Sequence, residues 1–241
     1  MAPNKSFSIG ETVVKPGQRT NINLPVADLY TSTSLSMPVQ VICGRRDGPV
    51  LFVSAAIHGD ELNGVEIVRR LLRLKALRSI RGTLIAVPIV NVHGFLHQSR
   101  YLPDRRDLNR SFPGSAKGSI AARLAHTFFK EVVSKADYGI DLHTGAINRS
   151  NLPQIRGNLD DEKTLELANC FGVPVIINAN IRDNSLRASV SESGVPVLIY
   201  EAGEALRFDE MSIRAGLRGT LNVMRLIGML PAKKAAKKPV N

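Results

Sequence analysis

Three polar residues of this chain have types and spacing suited to holding a metal ion: His58, Glu61 and His143. His58 and Glu61 form an H-x-x-E pattern at a strand-to-helix turn. Residues three apart there can point to one side, so an imidazole and a carboxylate can share an ion. A catalytic zinc takes about three protein ligands and keeps one position for water, and two His with one Glu make such a set. Alone, H-x-x-E recurs by chance, and a single His at a strand end is more often structural. The surroundings carry the metal reading: Gly59 follows His58, His143 stands in Asp-Leu-His-Thr-Gly, and Glu201 ends a further strand. Residues 106–114, Arg-Asp-Leu-Asn-Arg-Ser-Phe-Pro-Gly, form a loop dense with polar groups. Its bland reading is an exposed capping turn. Its chemical reading is capture of a carboxylate, which a guanidinium matches bidentately. Upstream, Arg100 could lie near the metal and stabilise an oxyanion. His126 reads as structural, and His93 and His97 as neighbours of the cleft without a metal.

These residues are far apart in sequence, so the fold must bring them together. Residues 50–56, 83–90, 138–142, 174–178 and 196–200 are short apolar runs without alternation, the pattern of strands buried on both faces. Helical periodicity follows in the segment starting at Glu61, then at 118–135, 161–171 and 209–228. Strands alternating with helices predict an α/β fold, a three-layer α/β/α sandwich with a mainly parallel, mixed sheet. Sites in such sheets form beyond the carboxyl ends of the strands, where His58, His143 and Glu201 fall. Residues 9–15, 20–25 and 34–43 read as short strands of an N-terminal β-rich segment, 1–45, belonging to the same domain. Residues 46–230 form the catalytic domain and 231–241 a Lys-rich, solvated tail.

The chain has 241 residues and 44% hydrophobic content, enough for one large core. It has no apolar run of membrane-spanning length and no apolar N-terminal signal core. Cys43 and Cys170 lack metal-ligand spacing and read as buried thiols of a reducing compartment, which makes the cytoplasm the default location. The net charge is +11, partly from the tail. Such a charge draws anionic substrates toward a cleft or favours nucleic acid. Without basic-aromatic interleaving or zinc-finger spacing, the small-anion reading leads. A homo-oligomer is compatible with the sequence.

Four motifs occur in one order: HGDELNG at 58–64, DLNRSFPG at 107–114, DLHTG at 141–145 and YEAGE at 200–204. With them, residues 40–228 resemble the succinylglutamate desuccinylase/aspartoacylase family of the zinc carboxypeptidase-like superfamily, closest to its bacterial predicted-deacylase branch. The resemblance implies the carboxypeptidase-like (phosphorylase/hydrolase-like) fold and one zinc ion held by His58, Glu61 and His143. It implies that Glu201 activates water at the metal and shuttles its proton. It implies that Arg100 polarises the scissile carbonyl and that Asn109 and Arg110 grip the substrate's carboxylate. Asp141 would either orient His143 or serve a structural role. Arg182 and Arg187 are candidates to read the acyl group, with surface arginines as the plainer reading. Many members of the branch carry a further C-terminal β-rich domain, whereas here the sequence ends soon after the 209–228 helix.

The expected activity is hydrolysis of the acyl amide or ester bond of a small N-acyl amino acid-like carboxylate. A metallocarboxypeptidase acting on peptide C-termini would use the same apparatus. A non-catalytic binding module on this fold would be expected to have lost a ligand or Glu201, and all are present. Other first-row divalent metals also suit a His-Glu-His set.

Overall fold

The computed structural model describes residues 2–28, 34–179 and 183–232. A hairpin of β1 (Phe7–Ile9) and β2 (Thr12–Val14) comes first. It replaces the single strand expected over 9–15, because the chain reverses at Gly10, whose φ of 54° lies in the left-handed region. Next come β3 (Arg19–Asp28), β4 (Ser34–Cys43), β5 (Arg46–Ala55), α1 (Leu62–Leu72), β6 (Arg81–Val87) and α2 (Val92–Leu96). Then follow α3 (Ile120–Glu131), β7 (Tyr138–Gly145), β8 (Asn151–Gly157), α4 (Glu162–Phe171), β9 (Val175–Asn178), α5 (Leu186–Ser193), β10 (Val197–Glu204) and α6 (Glu210–Leu226). The expected Lys-rich tail lies almost wholly outside the described residues, as does Arg182.

Eight strands make one sheet in the order β3-β4-β6-β5-β7-β10-β8-β9. The β6-β5-β7-β10 centre is parallel, while β3, β4 and β8 bring antiparallel pairings. This is the mixed, mainly parallel α/β sheet that the alternating pattern predicts. Both faces are covered. Phe52, Ile85 and Val87 pack in one core with α3, α5 and the hairpin, while Leu51, Val53, Leu84 and Ala86 pack in the other with α1, α4 and α6. Successive side chains of one strand thus enter opposite cores, which is why β5 and β6 are apolar without alternation. Burying a side chain of this size stabilises the fold by about 1.5–3 kcal/mol. No helix among the described residues is long and apolar enough to cross a membrane.

The parallel centre places the carboxyl ends of β5, β7 and β10 on one edge. The structure runs two of these strands further than the sequence pattern: His143 lies inside β7 and Glu201 inside β10, paired to each other in register. His58 sits in the turn between β5 and α1. That turn is tight. Ala56 holds a φ of 52°, and a Cβ on Gly59 would lie 1.9 Å from the Gly94 backbone in α2. Only glycine allows this approach.

Candidate metal centre and cleft

Glu61 caps the start of α1 and points back toward β7. Its carboxylate lies between two imidazoles, with Oε1 at 2.8 Å from His58 Nδ1 and Oε2 at 2.8 Å from His143 Nδ1. Each of the three residues offers a donor atom within 4.8 Å of the others, and the three are only 3%, 2% and 4% exposed. The far sides of both rings are already engaged. His143 Nε2 donates to Asp141 Oδ2 at 2.7 Å, and Ser54 Oγ holds the other Asp141 oxygen at 2.8 Å. His58 Nε2 donates to Asp107 Oδ1 at 3.1 Å. A carboxylate behind each imidazole fixes the tautomer and aims the remaining nitrogen inward, the usual support for metal-binding histidines. The donor set and its supports therefore fit a zinc ion.

The same contacts shift the titration of all three donors. Burial alone would raise the Glu61 carboxyl, but the two imidazoles outweigh it and hold the group at about 2. Burial would lower both histidines. Asp141 and Glu61 instead push His143 well above its ordinary value, and Glu61 with Asp107 raises His58. Burial pushes Asp107 up, yet His58 and Arg100 bring it below the usual carboxylate range.

Glu201 faces this cluster from β10. Burial raises its carboxyl, countered by His143. Its Oε2 accepts a hydrogen bond from Asn151 Nδ2 at 2.8 Å. Just beyond, a bulge interrupts β10 between Glu201 and Glu204, where Gly203 takes a φ of 73°. Asn63 of α1 pins the bulge by donating to the Ala202 carbonyl at 3.1 Å and accepting from the Asp209 amide. Bulges of this kind re-aim side chains beside sites.

A cleft of about 240 Å³ opens over the cluster, lined among others by Arg100, Asn109, Arg110 and Glu201. The three candidate metal ligands, with Arg100, Asn109, Arg110 and Glu201, thus meet at one place. Arg100 is clamped by Asp107 Oδ2 at 3.0 Å and passes 3.8 Å from Glu61. The Asn109 side-chain Oδ1 accepts from the Leu186 amide at 3.0 Å, tying the loop to α5. Arg187 is not a surface residue as its plainer reading held. It is 8% exposed and lines the cleft. His93 and His97 do not line it, and His97 Nδ1 donates to the His93 carbonyl.

Sequence reasoning missed Arg149, Asn151 and Arg156, which also line the cleft. Arg156 pairs with Ile199, so it sits two residues from Gln154, the partner of Glu201, on one sheet face. Asp107 opens the DLNRSFPG motif, yet nothing in its spacing signals its grip on both His58 and Arg100.

An α/β sheet with a buried His-Glu-His donor set at its carboxyl edge defines a class, that of α/β proteins with a candidate metal site of catalytic-zinc composition. The family follows directly. The succinylglutamate desuccinylase/aspartoacylase catalytic domain model matches residues 47–227, and this chain belongs to that family. An N-alpha-acetyl-L-2,4-diaminobutyric acid deacetylase of Halomonas elongata is 28% identical over 162 residues, covering 65% of this chain and 47% of that protein. A succinylglutamate desuccinylase of Pseudomonas aeruginosa is 24% identical, covering 81% of this chain and 63% of that protein. The chain thus spans between about half and three fifths of the length of these relatives. The crystal structure of a succinylglutamate desuccinylase/aspartoacylase from Rhodobacter sphaeroides superposes with a TM-score of 0.79 at 28% identity, over 89% of this chain and 67% of that one.

Proposed function

We propose that this chain is a zinc-dependent hydrolase that removes the acyl group from a small N-acylated amino acid or similar carboxylate. The observation that carries it is the convergence of His58, Glu61 and His143 donor atoms within 4.8 Å, beside Glu201, in an arginine-lined cleft. The two relatives named above are a deacetylase and a desuccinylase, and loss of an acyl group is the reaction their names share.

His58, Glu61 and His143 would hold the ion. Bound zinc supplies a Lewis acid that polarises a carbonyl and makes water acidic near neutral pH, with a pKa of about 7. Glu201 accepts the proton of the attacking water and returns it to the leaving nitrogen. Its raised pKa suits that exchange. Asn151 holds Oε2, so the other oxygen is the one that handles the proton. Arg100 stabilises the developing charge on the carbonyl oxygen. Asn109 and Arg110 hold the substrate carboxylate.

Five arginines, Arg100, Arg110, Arg149, Arg156 and Arg187, line the cleft against two glutamates, so its field favours an anionic substrate. The cleft is small beside the range of about 300–1,000 Å³ usual for ligand pockets, which favours a small acylated acid over a peptide. Cys43 and Cys170 are unpaired, and a reducing compartment such as the cytoplasm suits them.

A kinetic screen of N-acetyl and N-succinyl amino acids against short peptides tests the reading. Turnover of acylated acids supports it. Turnover of peptides alone, with release of the last residue, would establish a carboxypeptidase instead.

A further inference from the structure

The carboxyl end of α1 borders a second cavity, of about 500 Å³, larger than the cleft and remote from it. Eleven helical residues separate Glu61 from this end of α1, a span of about 16 Å. Five exposed cations rim the cavity: Arg19, Arg45, Arg73, Lys75 and Arg78. Among the described residues no carboxylate lines it, and none of the five forms an ion pair. Arg70, one turn earlier on the same helix, is by contrast neutralised by Glu66 and Glu210.

We propose that this cavity binds a small phosphorylated anion. Clustered cations without counter-charges repel one another, and an anion seated among them relieves that repulsion. Guanidinium groups suit phosphate oxygens bidentately. The rim is built from three separate segments: the turn before β3, the β4–β5 connection and the chain after α1. Compensation of the α1 dipole accounts for Arg73, which caps that helix, and not for Arg19 or Arg45 across the cavity. Arg45 also has a shaped seat. Gly17, at φ 85°, leaves open the space where a Cβ would come within 3.0 Å of Arg45 Nε. Beneath the rim, Ile42, Leu72, Leu74 and Leu77 offer an apolar floor for an organic group. Among the described residues no aromatic side chain lines the cavity to stack bases, so its concave form suits a small ligand better than a nucleic acid strand.

Titration of the whole 241-residue chain with inorganic pyrophosphate, followed by calorimetry at physiological salt, tests this. Saturable binding is expected, weakened at least about tenfold in Arg45→Ala/Arg73→Ala. It should persist in Arg110→Ala and His143→Ala, which alter the cleft. Thermal unfolding without ligand checks that the double variant folds. If it does not, Lys75→Ala/Arg78→Ala carries the same expectation. Absence of binding, binding indifferent to the rim variants, or binding lost in Arg110→Ala would overturn the proposal. So would tight binding of duplex DNA that pyrophosphate displaces and the rim pair abolishes.

Discussion

Asp141 shows how much the candidate centre depends on residues behind its donors. It is fully buried, receives Ser54 on one oxygen and His143 on the other, and so sets which imidazole nitrogen faces Glu61. Asp141→Asn is expected to weaken zinc affinity by about 10–100-fold while the protein stays folded, measured by competition with a chelating dye. Asn151→Ala removes the hydrogen bond that orients Glu201. It is expected to lower kcat about tenfold with little change in KM, read from steady-state kinetics on the substrate found in the screen. The donor residues were legible because His and Glu at strand ends are rare polar punctuation in apolar runs. Asn151 and Arg156 were not, because they lie on a strand that mixes polar and apolar residues and contains Pro153.

That strand, β8, is the main element the sequence concealed. Asn151, Gln154 and Arg156 give it neither an apolar run nor clean alternation, yet pairing with β10 and β9 holds it in place. Short α2 and α5 escaped notice for a related reason, since five and eight residues show too little period. The helix after Glu61 ends at Leu72, the last residue of its apolar repeat, and a separate 3-10 turn follows at Lys75–Ser79. In contrast, β4 spans residues 34–43 as read from its pattern, and α4 and β9 fall within a residue of their expected limits. The β5–α1 turn rests on the contact of Gly59 with α2. Gly59→Ala is expected to cost about 1–3 kcal/mol by forcing these backbones apart, seen as a lower urea midpoint. Because His58 and Glu61 flank that glycine, zinc content should fall in the same variant.

Across the whole chain, charge and fold act together. Arg70 joins α1 to α6 through Glu66 and Glu210, and hydrogen bonds from arginine hold both carboxyls at about 2. Carboxyls depressed in the folded state add stability above their unfolded value, and that stability is lost as pH falls from about 4.5 toward 2. Both groups lie near the surface, so salt screens the effect. Urea midpoints recorded down this pH range should fall less steeply in Arg70→Ala than in the unaltered chain. The layered sheet was legible because alternating apolar strands and amphipathic helices permit few other arrangements. The second cavity was not, since its rim gathers Arg19, Arg45 and Arg73 from distant segments.

The central proposal is Glu201 as the base beside a metal held by His58, Glu61 and His143. Zinc content and hydrolysis of N-acyl amino acids, measured together on the unaltered chain and on Glu201→Gln, test it most directly. The expected result is close to one zinc per chain in both proteins, with turnover reduced by about 10²–10⁴-fold in the variant. Turnover in Glu201→Gln equal to that of the unaltered chain, or full activity in protein free of metal, would contradict it.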